Sequence, residues 1–127
     1  MAEIGSAEAA ATWDAADRRL STRLLYVEAR AALRVAVREQ RVLARELDKV
    51  RARLELLWDA VDPIEVDDAV VSRAGDLADE HALRGYDAVH LASAEAVADD
   101  ETWFVAADRT LVEAAEIHGL ATLTLVE

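Results

Sequence analysis

From Thr22 to Val61 the chain runs without a single glycine or proline. Along that stretch Tyr26, Ala29, Leu33, Ala36, Leu43, Ala44, Leu47, Val50, Leu54 and Trp58 recur at helical spacing. The segment is therefore expected to be helical throughout. Globular helices seldom run so long, so it should bend into a hairpin, and Arg38-Glu39-Gln40-Arg41 is its most polar point. Ser21 or Thr22 is expected to cap its start by accepting a bond from a free N–H of the first turn.

Elsewhere breakers divide the chain into a few pieces, with glycine only at positions 5, 75, 85 and 119 and one proline, Pro63. Ala-rich Ser6 to Asp17 reads as a helix, followed by a short strand near Leu20. Asp62-Pro63-Ile64-Glu65-Val66 alternates as a second strand, and Asp67 or Asp68 can cap a helix reaching His81. Arg84-Gly85 separates it from another helix, Tyr86 to about Ala98, whose inner face is expected to carry Val89, His90, Ser93 and Val97. Thr102 to Ala106 reads as a buried strand from its aromatic and β-branched content. Asp108 then opens a helix that Gly119 stops, and Ala121 to Val126 is a last strand. Helix and strand alternate through this half, which predicts an α/β domain with a largely parallel sheet.

The 127 residues suit one domain, and the lack of cysteine excludes a disulfide framework, a thiolate metal site and a thiol nucleophile. The apolar runs are too short for a membrane span, and the first residues do not read as a secretory signal. The default expectation is a cytoplasmic protein. The net charge of −12 argues against a surface built wholly to cover phosphates. Its distribution says more: eleven of the fourteen basic residues lie between Arg18 and Arg53 with four acids, so that segment is +7 and the rest −19. Arg30, Arg34, Arg38, Arg41, Arg45, Lys49 and Arg53 are expected on one helical face. Such a stripe is a solvated face, a dimer contact with the acidic remainder, or a guide for RNA.

Three carboxylates stand out. Asp108 follows a predicted parallel strand and precedes a helix, where α/β sheets expose ligand-binding groups and where an ordinary N-cap also falls. Asp87 sits in the otherwise apolar run Tyr86-Asp87-Ala88-Val89-His90-Leu91-Ala92; a buried acid there must be paired or coordinated. Glu28, in Leu24-Leu25-Tyr26-Val27-Glu28-Ala29, is either a partner for Arg23 or Arg30 or a third member of the set. Jointly they suit a hard divalent cation, Mg²⁺ or Mn²⁺, and without it Asp87 and Asp108 should repel each other. His81, His90 and His118 share no ligand spacing, and His90 is expected to pack or to orient a ligand. Phosphate-cradling glycine loops, dinucleotide fingerprints and nucleophile elbows are missing, which removes those enzyme classes.

Tyr26-Val27-Glu28-Ala29-Arg30-Ala31-Ala32-Leu33, Leu83-Arg84-Gly85-Tyr86-Asp87-Ala88-Val89-His90-Leu91-Ala92 and Phe104-Val105-Ala106-Ala107-Asp108-Arg109-Thr110-Leu111 resemble, in order and spacing, the acidic motifs of PIN-domain, VapC-type toxin ribonucleases. The resemblance spans nearly the whole chain. It implies a three-layer domain with a parallel sheet flanked by helices, and a Mg²⁺- or Mn²⁺-dependent endoribonuclease of a toxin–antitoxin pair. Such a hydrolase is usually a homodimer, inhibited by a cognate antitoxin lying across the acidic site. By position Glu28, Asp87 and Asp108 take the second, third and fourth acidic roles, as catalytic residues and metal ligands.

The family opens with a central strand ending in Asp followed by Thr or Ser, whereas this chain starts Met1-Ala2-Glu3-Ile4-Gly5-Ser6-Ala7. Residues 1–127 are therefore expected to form a single PIN-like domain, N-terminally incomplete, that lacks the central first strand. Neither Glu3 nor its neighbours has the strand context to replace the first ligand. The missing strand should fall between those near Leu20 and at Thr102 to Ala106, leaving unpaired edges. An impaired enzyme is the leading expectation. The alternatives are an inactive PIN-like module that dimerises and binds an antitoxin-like peptide, and a helical adaptor whose basic stripe meets an acidic partner.

Overall fold

The computed structural model describes residues 2–126. In chain order its elements are β1 (Ala2–Ile4), α1 (Ser6–Ala15), β2 (Leu20–Thr22), α2 (Leu25–Arg38), a single 3₁₀ turn (Ala44–Glu46), α3 (Leu47–Asp59), β3 (Asp62–Ile64), α4 (Asp68–His81), α5 (Gly85–Val97), β4 (Trp103–Ala106), α6 (Arg109–Ile117) and β5 (Ala121–Leu125). Every strand pair is parallel, so the fold is α/β. Arg18–Ile64 forms one compact unit, and the stretches before and after it form a second, larger one.

In the larger unit the sheet order is β1-β5-β4, with Trp103 opposite Ala121 and Ala106 opposite Thr124 in the β4–β5 register. Helical spacing supplies the faces that cover it: Val70, Ala74 and Leu77 on α4, Ala88, Leu91 and Ala92 on α5, and Leu111, Ala114 and Ala115 on α6 form one cluster with Phe104. The alanines let these helices approach closely, while Leu77 and Leu91 are wholly buried and contribute about 1.5–3 kcal/mol each by leaving water. Asp67 caps α4 by accepting from the Val70 N–H at 2.9 Å. Gly119 stops α6 at φ +86°, a left-handed turn that glycine adopts without a Cβ clash. At the end of α4 that conformation falls instead on Ala82, φ 53°, so Gly85 is left to begin α5.

Four expectations are corrected here. Ala2–Ile4 does have strand context, pairing with β5 so that Glu3 lies opposite Thr124; three residues are too few for periodicity to reveal. The strands near Leu20 and Ile64 form a separate two-stranded sheet rather than continuing a single one. Accordingly β4 is half-buried: Phe104 points inward, Trp103 and Val105 are 55% and 42% exposed, and β5 is its sole strand neighbour among the described residues. On α5 the buried face is Ala88, Leu91, Ala92 and Ser93, while Val97 is exposed.

In the smaller unit β2 pairs with β3, Leu20 opposite Asp62. The long glycine-free stretch is two helices rather than one, and it breaks where its polarity predicts. Gln40 turns left-handed at φ 62°, and the Arg41 and Val42 N–H groups both donate to the Ala36 carbonyl, at 2.9 and 3.2 Å. The basic residues are consequently divided between α2, the turn and α3, not arrayed on one face. Thr22 is no cap either, since it lies buried in β2 and α2 starts after Leu24. Tyr26 donates to Glu55 and accepts from Arg30 Nη1 at 2.7 Å, tying α2 to α3, and its ring lies 5.6 Å from that of Trp58.

Arg73 on α4 donates two bonds to Glu95 on α5, at 2.8 and 3.0 Å. The Arg73 hydrogen bond holds the Glu95 carboxyl below its ordinary range, against an opposing desolvation effect. Because that pKa is lowered on folding, the pair's contribution is complete above the ordinary glutamate range and is lost as pH falls through the lowered value. Acid unfolding followed by circular dichroism should therefore be shallower below the glutamate range in Glu95→Gln than in the parent. Leu77→Ala should cost about 2–5 kcal/mol in urea denaturation with an unchanged slope; a loss below about 1 kcal/mol would contradict the packing described.

Candidate metal and active site

The return of the chain from β4 to β5 through α6 places Asp108 just beyond the C-terminal end of a parallel strand. One of its oxygens, Oδ1, caps α6 by accepting from the Leu111 N–H at 3.0 Å. Its other oxygen, Oδ2, stands 3.5 Å from Nη2 of Arg84. The same guanidinium approaches Asp87 in the first turn of α5, with Nε 3.6 Å from Oδ2. Two carboxylates from separate helix starts thus converge on one cation, with Asp87 26% and Asp108 40% exposed.

The repulsion expected between Asp87 and Asp108 is consequently offset by Arg84, which the sequence reading did not single out. Its signal was present in Arg84-Gly85-Tyr86-Asp87, three residues ahead of the acid. The clamp is loose, because Arg84 is 83% exposed and both separations are long for charge-assisted bonds. Arg109, next to Asp108, is bonded instead to Glu3 on β1. Beside Asp87, the Tyr86 and His90 rings are tilted by 38° with centroids 5.3 Å apart.

Glu28 belongs to the smaller unit, half-buried in the first turn of α2, with its N–H donating to the Leu24 carbonyl at 3.2 Å. All three acids occupy helix starts, where the positive end of the helix dipole favours carboxylates. The donor set at Asp87 and Asp108 is oxygen only and already attracts a cation, so its chemistry fits a hard divalent ion. The histidines depart from expectation: His81 and His118 share no sequence spacing, yet the packed helices bring their Nε2 atoms to 2.8 Å. No helix among the described residues is long and apolar enough to cross a membrane.

Parallel strands with acids at the helix starts beyond them are the arrangement of a PIN-like α/β protein. Among known proteins, the chain is 45% identical over 117 residues to Ribonuclease VapC45 of Mycobacterium tuberculosis strain CDC 1551 / Oshkosh, an alignment covering 92% of this chain and 81% of that one. It matches Ribonuclease VapC49 of strain ATCC 25618 / H37Rv over the same shares and with the same identity. No family model matches the chain, and no solved structure does. With that identity across most of both sequences, the chain belongs to the VapC family of PIN-domain proteins.

Removing the shared cation should expose the repulsion. Arg84→Ala is expected to lower the stability of metal-free protein by less than about 1 kcal/mol, with the deficit shrinking in high salt. Mn²⁺ should then raise the melting temperature of the variant by more than that of the parent. Identical responses to Mn²⁺ would show that Arg84 does not hold the cation's place.

Proposed function

We propose that this chain is a metal-dependent endoribonuclease, the toxin of a toxin–antitoxin pair, in which Glu28, Asp87 and Asp108 hold Mg²⁺ or Mn²⁺. The observation that carries the reading is the convergence of Asp87 and Asp108 on a single exposed guanidinium, in a chain so similar to named ribonucleases. RNA is the substrate, a cognate antitoxin the inhibitory partner, a homodimer the working form and the cytoplasm the compartment.

When bound, a divalent cation offsets the charge of the scissile phosphate and activates water for in-line attack. Asp108 keeps Oδ1 on the α6 cap and presents Oδ2, so the helix itself fixes the carboxylate's direction. Asp87 projects from the first turn of α5, within reach of the same guanidinium. Arg84, once released from them, is free to meet the phosphate from the solvent side.

Purified protein should cleave RNA only with Mg²⁺ or Mn²⁺, and Asp87→Asn should reduce the rate by ~100-fold or more, beyond what losing an outer-shell partner costs. Cleavage in chelator, or undiminished cleavage by the variant, would sink the assignment. The exposed Trp103 and Val105 and the open edge of β4 favour a second reading, an inactive module that binds an antitoxin-like peptide. Tight antitoxin binding without any metal-stimulated cleavage would establish that reading instead.

A further inference from the structure

A second cluster lies within the larger unit where α4 and α6 end. His81 is the last residue of α4 and His118 is the C-cap of α6. Their rings meet edge to face, at 90° with centroids 4.9 Å apart, and Nε2 of one faces Nε2 of the other at 2.8 Å. Glu80 completes a triangle, its oxygens 3.7 Å from His81 Nε2 and 3.9 Å from His118 Nε2. We propose that Glu80, His81 and His118 form a binding site for a divalent transition-metal ion of the Zn²⁺ class, separate from the acidic site.

Geometry supports it first. Nitrogen and oxygen ligands about 2.0–2.1 Å from a tetrahedral ion stand ~3.3 Å from one another. The three observed separations straddle that value, and one ligand atom from each residue lies within 4.8 Å of the other two. Small side-chain movements would close the set around an ion and leave a fourth position for water.

Placement supports it next. Two helix C-termini converge here, and their partial negative charge favours a cation. Both imidazoles are largely buried, at 12% and 17% exposed, whereas Glu80 is half in solvent and able to swing inward. On its far side His118 Nδ1 lies 3.7 Å from the Glu95 carboxylate and 3.4 Å from Arg73 Nη2. The Arg73–Glu95 pair behind the ring thus holds His118 in place from its Nδ1 side and leaves Nε2 turned toward His81 and Glu80. An open cleft of about 480 Å³ lined by Glu95, Asp99, Asp100 and His118 adjoins the cluster on the His118 side.

Donor type separates the two sites. Imidazole nitrogen selects Zn²⁺, Co²⁺ or Ni²⁺ over Mg²⁺, while an all-carboxylate site does not. Asp108 and His118 are also at opposite ends of α6, ten residues and so ~15 Å apart along the helix.

The test is a Co²⁺ titration of the chelator-treated 127-residue chain in excess Mg²⁺, read by the visible absorption of tetrahedral Co²⁺. One equivalent should bind, Zn²⁺ should bleach the band, and Asp87→Asn should leave it unchanged. His118→Ala should abolish the band, and Glu80→Gln, a half-exposed change that spares the core, should weaken binding ~10-fold or more. If His118→Ala does not fold by circular dichroism, Glu80→Gln decides. No band in the parent, a band that Glu80→Gln leaves at full affinity, or one lost in Asp87→Asn would overturn the proposal.

Discussion

Parallel pairing of β4 with β5 governs the larger unit. Parallel neighbours cannot be joined by a tight turn, so the chain must travel back along the sheet before β5 can align with β4. α6 makes that journey, and burial of Leu111, Ala114 and Ala115 fixes how it is rotated against the core. Its two ends then have opposite electrostatic character. The N-terminal end, rich in free N–H groups, receives the Asp108 carboxylate; the C-terminal end, rich in free carbonyls, presents a histidine. The candidate sites for a hard and a softer cation are consequences of one crossover.

Charge supply shapes what those sites can do. Outside Arg18 to Arg53 the chain has only three basic residues, Arg73, Arg84 and Arg109, and each is committed to acids: Arg73 to Glu95, Arg84 to Asp87 and Asp108, Arg109 to Glu3. The commitments differ in strength. Arg73 is bidentate and short, whereas Arg84 is exposed and shared at long range between two carboxylates. A divalent ion competes far more easily with the second arrangement than with the first, because two charges concentrated at one point replace a single delocalised charge.

What could be read from the sequence followed the range of the signal. Asp67 and Asp108 were legible as helix starts because a cap is written within three or four residues. The α2–α3 hairpin was legible in outline, since a break needs only a polar interruption in a periodic run. β1 was not, because three residues carry no period and are strand only by virtue of the β5 edge beside them. Arg84 is not legible as a shared cation, because nothing local to Arg84-Gly85-Tyr86-Asp87 reveals that Asp108 approaches it. His81 and His118 are 37 residues apart, so only the packing of helices joins them.

The smaller unit orients its helices by a different means. Thr22, Ala36 and Leu47 are its buried residues, while Val27, Leu56 and Leu57 are exposed, so its apolar core is small and the Tyr26–Trp58 ring contact does not set the rotation of α2 alone. Polar bonds supply what the core does not: Tyr26 and Arg30, one turn apart, both engage Glu55 of α3. Glu28 follows Tyr26 by two residues, which on an α-helix is a rotation of ~200°. The contacts that dock α2 against α3 therefore turn Glu28 to the side of the helix facing away from α3. The Tyr26–Glu55–Arg30 group is thus what sets the face of α2 on which Glu28 lies.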